Sequence, residues 1–214
     1  MAMASNVSEA KRIEKLSRKL CQLLRHGAVK AGVPIDDNGF VDVDVFLRRR
    51  DLGLNGLTLD DVKYIVATND KQRFALEVND KGVLQIRANQ GHTLPIKDLD
   101  LVPILDADND PIVVHGTYYD PWRTHISKDG LHRMRRNHIH FAPRVPGDKE
   151  LVSGARSTCQ VLIYIDLSKA LNDGYKFFRS ANEVILCSGN EEGYLPTEYF
   201  LKVTDRKSGR LLPF

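Results

Sequence analysis

Long apolar runs are absent from this 214-residue chain. No stretch approaches the ~20 consecutive residues that a bilayer-crossing helix needs. The opening Met1-Ala2-Met3-Ala4-Ser5-Asn6 lacks the charged-then-apolar layout of a secretory leader. A soluble chain with no membrane partner is expected, in the cytoplasm or nucleus. Cysteine is scarce: Cys21, Cys159 and Cys187 are an odd set, widely spaced, without CxxC or Cys-His ligand spacing. They read as reduced, buried thiols and argue against a disulfide scaffold. Missing too are GxxxxGK[ST] and GxGxxG, which leaves no support for a P-loop or a Rossmann cofactor site. The absence of HExxH and GxSxG removes the common zinc hydrolases and the α/β serine hydrolases. No repeat, heptad or low-complexity tract occurs. Charge of one sign is only slightly in excess, at +3, so any contact with nucleic acid should be local rather than a broad wrapping of a duplex.

What the chain does have is Leu131-His132-Arg133-Met134-Arg135-Arg136-Asn137-His138-Ile139-His140-Phe141, three arginines and three histidines in eleven residues without a carboxylate. Such a stretch is built to face something anionic. From Asn137 to Phe141 it alternates, which on a strand puts His138 and His140 on one face. A half-buried strand beside a solvated basic turn would give the same pattern. Two imidazoles on one face could begin a metal site, but a third ligand at convincing spacing is lacking, and no metal is expected.

Ile13, Leu16, Leu20, Leu23 and Leu24 recur at three- and four-residue steps, predicting a helix with one buried stripe that Ser8 can cap. Arg25 and His26 fall in its last turn, before Gly27 in the left-handed position that ends a helix. Asn38-Gly39 marks a tight turn, and Val41 to Leu47 a short strand running into a helix. Thr58 with Asp61 forms a capping box for a helix carrying Val62, Ile65 and Val66. Phe74, Leu76 and Val78, a turn at Asn79 to Gly82, then Val83, Leu84 and Ile86 make a β-hairpin. Three helices followed by a hairpin is the pattern of a winged helix. The acidic, proline-bounded passage from about 92 to 112 reads as a crossing between domains. Short strands follow at 112–115, 137–141, 161–165, 183–187 and 199–203, with one helix near 121–128 and another after Asp166. The expected class is α+β in two lobes, residues 1–100 and 101–214.

Seven blocks stand in an order that resembles one family. They are Leu23-Leu24-Arg25-His26, Asn69-Asp70-Lys71-Gln72-Arg73-Phe74, Ala88-Asn89-Gln90-Gly91-His92, His115-Gly116-Thr117, Met134-Arg135-Arg136-Asn137-His138-Ile139-His140, Ser153-Gly154-Ala155-Arg156 and Phe178-Arg179-Ser180. Together they are similar to the NAD-dependent RNA 2′-phosphotransferases, Tpt1/KptA, over about Leu16 to Gly189. The resemblance implies an N-terminal winged-helix lobe that binds RNA and a C-terminal lobe with the ADP-ribosyltransferase fold that binds NAD. It further implies a two-step reaction. An internal RNA 2′-monophosphate, as in spliced tRNA, displaces nicotinamide from NAD. A ribose hydroxyl then attacks that phosphate, leaving 2′-OH RNA and ADP-ribose 1″,2″-cyclic phosphate.

The family's Arg-His-Arg-Arg quartet lands on Arg25, His26, Arg73 and Arg136. The three arginines would hold the 2′-phosphate, His26 would donate or move a proton in the second step, and Lys71 would assist from the same strand face as Arg73. A phosphate monoester is already nucleophilic near pH 7, so the first step asks for no general base and the lack of paired carboxylates is understandable. NAD would lie against His115, Gly116, Thr117, Asn137, His138 and His140, with Ser153, Gly154 and Arg156 toward its pyrophosphate. One departure stands out: Phe141-Ala142 occupies the place where the family pattern has a serine. Two other readings stay open, ADP-ribosylation of a terminal nucleic-acid phosphate on the same lobes and a non-catalytic winged-helix RNA-binding protein.

Overall fold

The computed structural model describes residues 2–97, 99–108, 112–148, 151–156 and 158–214, with backbone alone for 2–6. It is a mixed α/β chain of several small antiparallel sheets and few helices, divided into two units, Met1–Leu99 and Asp100–Phe214.

In unit 1 the leucine stripe does what its spacing demands. Helix α1 (Ala2–Gln22) buries Leu16 and Leu20, and the π turn Leu23–Gly27 that continues it buries Leu23 and Leu24. The helix starts well before Ser8, which is an interior position: the Met-Ala-Met-Ala opening is made of strong helix formers, so a cap at Ser8 is not needed to begin it. Gly27 is not left-handed either. The π turn closes through Ala28 N–H to Leu23 O (2.9 Å), and the positive φ falls five residues later, at Gly32 (+60°). Gly39 (φ +82°) turns the chain into β1 (Val41–Asp42) and α2 (Val43–Arg48). Helix α3 (Leu59–Thr68) opens on a complete capping box: Asp61 N–H donates to Thr58 Oγ1 (3.1 Å) and Thr58 N–H to Asp61 Oδ2 (2.9 Å). The same carboxylate accepts from Arg12 at 2.5 Å, tying α1 to the start of α3. Hairpin strands β2 (Phe74–Val78) and β3 (Leu84–Ala88) pair from Phe74↔Ala88 to Val78↔Leu84, and β1 adds to the free edge of β3.

Unit 2 holds β4 (Val102–Ile104), β5 (Val114–Thr117), the single turns α4 (Tyr119–Pro121) and α5 (Ser127–Asp129) around a π turn at Trp122–Ile126, then β6 (Leu131–His132) and β7 (Ile139–Phe141). After these come β8 (Val161–Ile165), α6 (Leu167–Asn172), β9 (Phe177–Arg179), β10 (Ile185–Cys187), β11 (Tyr194–Leu195) and β12 (Phe200–Asp205). Asp166 caps α6 by accepting the Lys169 N–H. Two sheets, β12-β8-β5 and β4-β9-β10-β7, share a core that includes Phe141, Ile163, Phe177 and Ile185, all essentially inaccessible. Their edge strands meet at one bridge, where Val114 and Ala142 exchange two backbone bonds of 3.0 and 2.8 Å.

The passage expected to be a structureless crossing contains β4, which pairs with β9 through Val102↔Arg179. Val-Pro-Ile is too short to show a period, and a proline is tolerated on a sheet edge. Strands β6, β9 and β11 were unforeseen for the same reason of length. Residues 109–111 of the crossing, and Lys149 at the end of loop 143–149, lie outside the described residues. No helix among the described residues is long and apolar enough to cross a membrane.

Candidate functional site

A groove of about 1180 Å³ runs along α1 and α3 in unit 1, and Arg25, His26, Asn69, Asp70 and Arg73 line it where both helices finish. Neighbouring residues hold each of the basic side chains there in place. Thr93 donates its N–H to Arg25 O (2.9 Å), and its hydroxyl meets His26 Nδ1 at 3.1 Å. Gly91 sits against the Arg25 guanidinium with φ +88°; a Cβ there would lie 3.4 Å from Cζ and Nε in a backbone conformation that side chains resist. Asn69 Oδ1 accepts from Arg73 N–H at 3.0 Å and from its Nη1 at 3.4 Å, so one side chain just after α3 braces the following turn and orients the guanidinium. Asn89 N–H closes on Arg73 O (2.9 Å).

Three of the four residues that the resemblance put forward as catalytic, Arg25, His26 and Arg73, therefore share one groove. Lys71 does not line it. The reason for placing it beside Arg73 also fails, because residues 70–71 form a turn and Gln72 is left-handed (φ 43°), so 71 to 73 is not extended. Cys21 lines the same groove and is half-buried, not buried as the sequence suggested. Asn69, Gly91 and Thr93 carry positions that residue chemistry alone did not single out. Only their place inside or beside the motif blocks hinted at them.

Unit 2 carries a cavity of about 660 Å³ lined by His115, His125, His132, Arg133, Arg136, His138, His140 and Tyr194 among others. That volume lies within the range of small-ligand sites. Past the Val114–Ala142 bridge the backbone pairing of β5 with β7 stops among the described residues, and the His115 imidazole takes over, its Nδ1 2.9 Å from His140 O. A carbonyl only accepts, so Nδ1 carries the hydrogen and Nε2 is left as an acceptor. Burial, then the charges of Arg136 and Arg156, hold His115 below the ordinary imidazole range even though the bond to His140 opposes them. His138 is also held low, by burial and by Arg133, and meets Phe178 edge-on at 6.4 Å. Both rings are neutral at pH 7. The alternation expected of 137–141 is visible in burial: Ile139 and Phe141 are inside while His138 and His140 are half-exposed, although the strand proper begins only at Ile139.

The basic turn 133–136 is internally braced. Arg133 donates through Nη1 to Arg136 O (3.0 Å) and packs on Gly193, where a Cβ would come within 2.6 Å of its Nε. Met134 within this turn has a left-handed φ of 58°, and Arg136 is exposed. His132 stacks on Tyr194 with ring centroids 4.2 Å apart.

The remaining expected contacts lie elsewhere in unit 2. Asn137 is half-buried at the end of the basic turn. Gly116 faces the Cys159 thiol, which would be 2.8 Å from a Cβ, and Thr117 is buried. Ser153 is buried. Gly154 (φ +108°) lies on Ala142, with a Cβ position only 2.7 Å from Ala142 Cα. Arg156 is exposed over the Tyr118 ring at 5.9 Å. Where the resemblance leads one to expect a serine, Ala142 is fully buried and contributes only backbone bonds to Val114. Burial pushes the Cys159 thiol up and the Cys187 thiol to about 11, so neither is a nucleophile near neutral pH. Among the described residues no cluster of three His, Cys, Asp or Glu could hold a metal.

Comparison with known proteins places the chain among relatives of one kind. The model of the RNA 2′-phosphotransferase, Tpt1 / KptA family matches residues 11–189. The chain is 44% identical to tRNA 2′-phosphotransferase 1 of Homo sapiens over 194 residues, covering 90% of this chain and 76% of that protein. It is 43% identical to tRNA 2′-phosphotransferase 1 of Danio rerio over 198 residues, 91% of this chain and 87% of that protein. Against the tRNA 2′-phosphotransferase of Saccharomyces cerevisiae the identity is 36% over 206 residues, 94% and 87% of the two chains.

Proposed function

The chain belongs to the RNA 2′-phosphotransferase, Tpt1 / KptA family, and from that premise we propose how its two units divide the work of removing a phosphate. It is an enzyme, a tRNA 2′-phosphotransferase that takes away the 2′-phosphate left by tRNA splicing. In our reading unit 1 is a winged-helix lobe that takes the RNA, unit 2 is an ADP-ribosyltransferase-like lobe that takes NAD, and the enzyme works inside the cell, where tRNA is spliced.

The observation that carries the reading is the groove that gathers Arg25, His26 and Arg73. Arginines match phosphate oxygens through paired N–H donors and keep their charge at any working pH. They would hold the 2′-phosphate dianion, with Arg136 as the third arginine of the reaction. The residues of unit 2 fit a dinucleotide. His115 presents a neutral Nε2 acceptor, suited to a ribose hydroxyl, and His138 and His140 line the same cavity. Arg156 with Ser153 and Gly154 would meet the pyrophosphate, and Gly116, Thr117 and Asn137 would shape the neighbouring backbone.

NAD supplies an electrophilic ribose carbon whose nicotinamide leaves as the 2′-phosphate oxygen bonds to it. In the second step the neighbouring ribose hydroxyl attacks phosphorus and the RNA 2′-oxygen leaves. The proton lost by the first is gained by the second, and His26, exposed and with Nδ1 3.1 Å from the Thr93 hydroxyl, would pass it on. Arginines fixed before reaction stabilise the charge that builds on the phosphoryl oxygens.

The test mixes the pure protein with NAD and a short RNA bearing one internal 2′-phosphate. Nicotinamide and ADP-ribose 1″,2″-cyclic phosphate should appear together with 2′-OH RNA. Nicotinamide release with ADP-ribose retained on a terminal phosphate would replace this reading by simple ADP-ribosylation.

A further inference from the structure

Beside the cations themselves, unit 1 contains a residue whose placement makes sense only through one of them. Asn89 follows β3 and is 7% exposed, and its side-chain Nδ2 donates to Gln72 O at 2.6 Å while its backbone N–H donates to Arg73 O at 2.9 Å. Its Oδ1 is buried with no hydrogen-bond partner among the described residues. A buried acceptor left unmet is costly, and native structures keep few of them without a reason. Turning the amide over would aim Oδ1 at the Gln72 carbonyl, acceptor against acceptor, so the observed orientation is the one chemistry allows. The other half of the arrangement is Gln72, an exposed non-glycine residue held at φ 43°. Such a residue prefers to relax to negative φ, and relaxing would swing the next residue, Arg73, away from the groove.

We propose that Asn89 is a positioning residue for Arg73: its amide pins the carbonyl of left-handed Gln72, and that pin sets the direction in which the Arg73 guanidinium enters the groove. This rests on the assignment of Arg73 to the 2′-phosphate made above. Asn69 holds the guanidinium from the α3 side and Asn89 holds the preceding peptide from the β3 side, so the arginine is aimed from both.

The experiment follows RNA carrying ADP-ribose on its 2′-phosphate and the final 2′-OH RNA in the same reaction, and reports their ratio. Compared at equal extents of RNA consumed, that ratio does not depend on how much enzyme is folded. Asn89→Ala should slow formation of 2′-OH RNA about 10- to 100-fold, the scale of a misplaced catalytic group, and raise the ratio of intermediate to product. Gln72→Gly in the Asn89→Ala background should bring the rate back to within about threefold of wild type, because glycine takes positive φ without the pin. Gln72→Val, which keeps Asn89 but penalises positive φ, should raise the ratio as Asn89→Ala does, and it decides the matter if Asn89→Ala does not fold. A wild-type ratio in Gln72→Val, or no recovery in the double variant, overturns the proposal. Arg73→Ala is run alongside: if it too leaves the ratio unchanged, the assignment of Arg73 falls and the proposal with it. If it raises the ratio while the other variants do not, only the positioning role is lost.

Discussion

The two units handle polar chemistry in opposite ways. In unit 1 the groove is lined by side chains that stay charged, Arg25 and Arg73, half-buried and aimed by Gly91, Thr93, Asn69 and Asn89. In unit 2 the cavity is lined by imidazoles, and for His115 and His138 burial and neighbouring arginines keep the rings neutral. Permanent charge suits a phosphate. A neutral ring with one acceptor suits hydroxyls, which would gain little from a cation and would leave a buried one poorly solvated. Arg133 and Arg136 of the basic turn are the exceptions in unit 2, and Arg136 is exposed.

The sharpest way to break this contrast is to remove permanent charge. Arg25→Ala and Arg136→Ala should each abolish 2′-phosphate removal, a loss of at least about 10³-fold by the worth of arginine in other phosphoryl transfers. Wild-type turnover in either, on a 2′-phosphorylated oligonucleotide with NAD, would remove the anion-clamp reading. Arg73→Ala should fall less in the first step than in the second, so that ADP-ribosylated RNA accumulates on a gel.

In unit 2 the matching change is His115→Ala, expected to weaken NAD binding about 10-fold by loss of one well-placed acceptor while RNA binding to the NAD-free enzyme stays put. Calorimetric titrations with each ligand separate the two. Equal loss of both would erase the distinction between units.

Acid should find unit 2 first. A histidine whose folded pKa is depressed binds fewer protons folded than unfolded, so stability is present above the unfolded value of about 6.5 and is lost as pH falls below it, until the folded pKa is passed. The thermal midpoint should therefore drop between pH 7 and 5, and His115→Ala should flatten part of that slope. A pH-independent midpoint contradicts the neutral-imidazole picture. The smallest effect belongs to Thr58→Ala, far from either constellation in its chemistry. Breaking the capping box should cost about 1 kcal/mol in denaturant unfolding and leave the ratio of intermediate to product unchanged.

Much of the scaffold could be read from the chain because it is written in near neighbours. A leucine stripe, a Thr-Asp capping box, an Asn-Gly turn and an alternating hairpin are each decided within about four residues, and α1, α3, β2 and β3 followed from them. Local cues misled where two outcomes are locally allowed. Ser8 could cap a helix but the residues before it could extend one, and Gly27 could end a helix but was absorbed into a π turn. The seven motif blocks named candidate residues without saying how they are held.

That holding was decided by tertiary structure alone. Thr93 reaches His26, Asn89 reaches Gln72, the His115 ring reaches the His140 carbonyl and Val102 pairs with Arg179 only after the chain has closed loops of 17 to 77 residues. Such contacts depend on backbone positions contributed by separate elements, which no short window of sequence contains. The amino-acid order settled which groups are available and which local elements carry them. The folded chain settled which nitrogen of His115 bears its proton, why Gly91 and Gly193 must lack a side chain, and which asparagines aim Arg73.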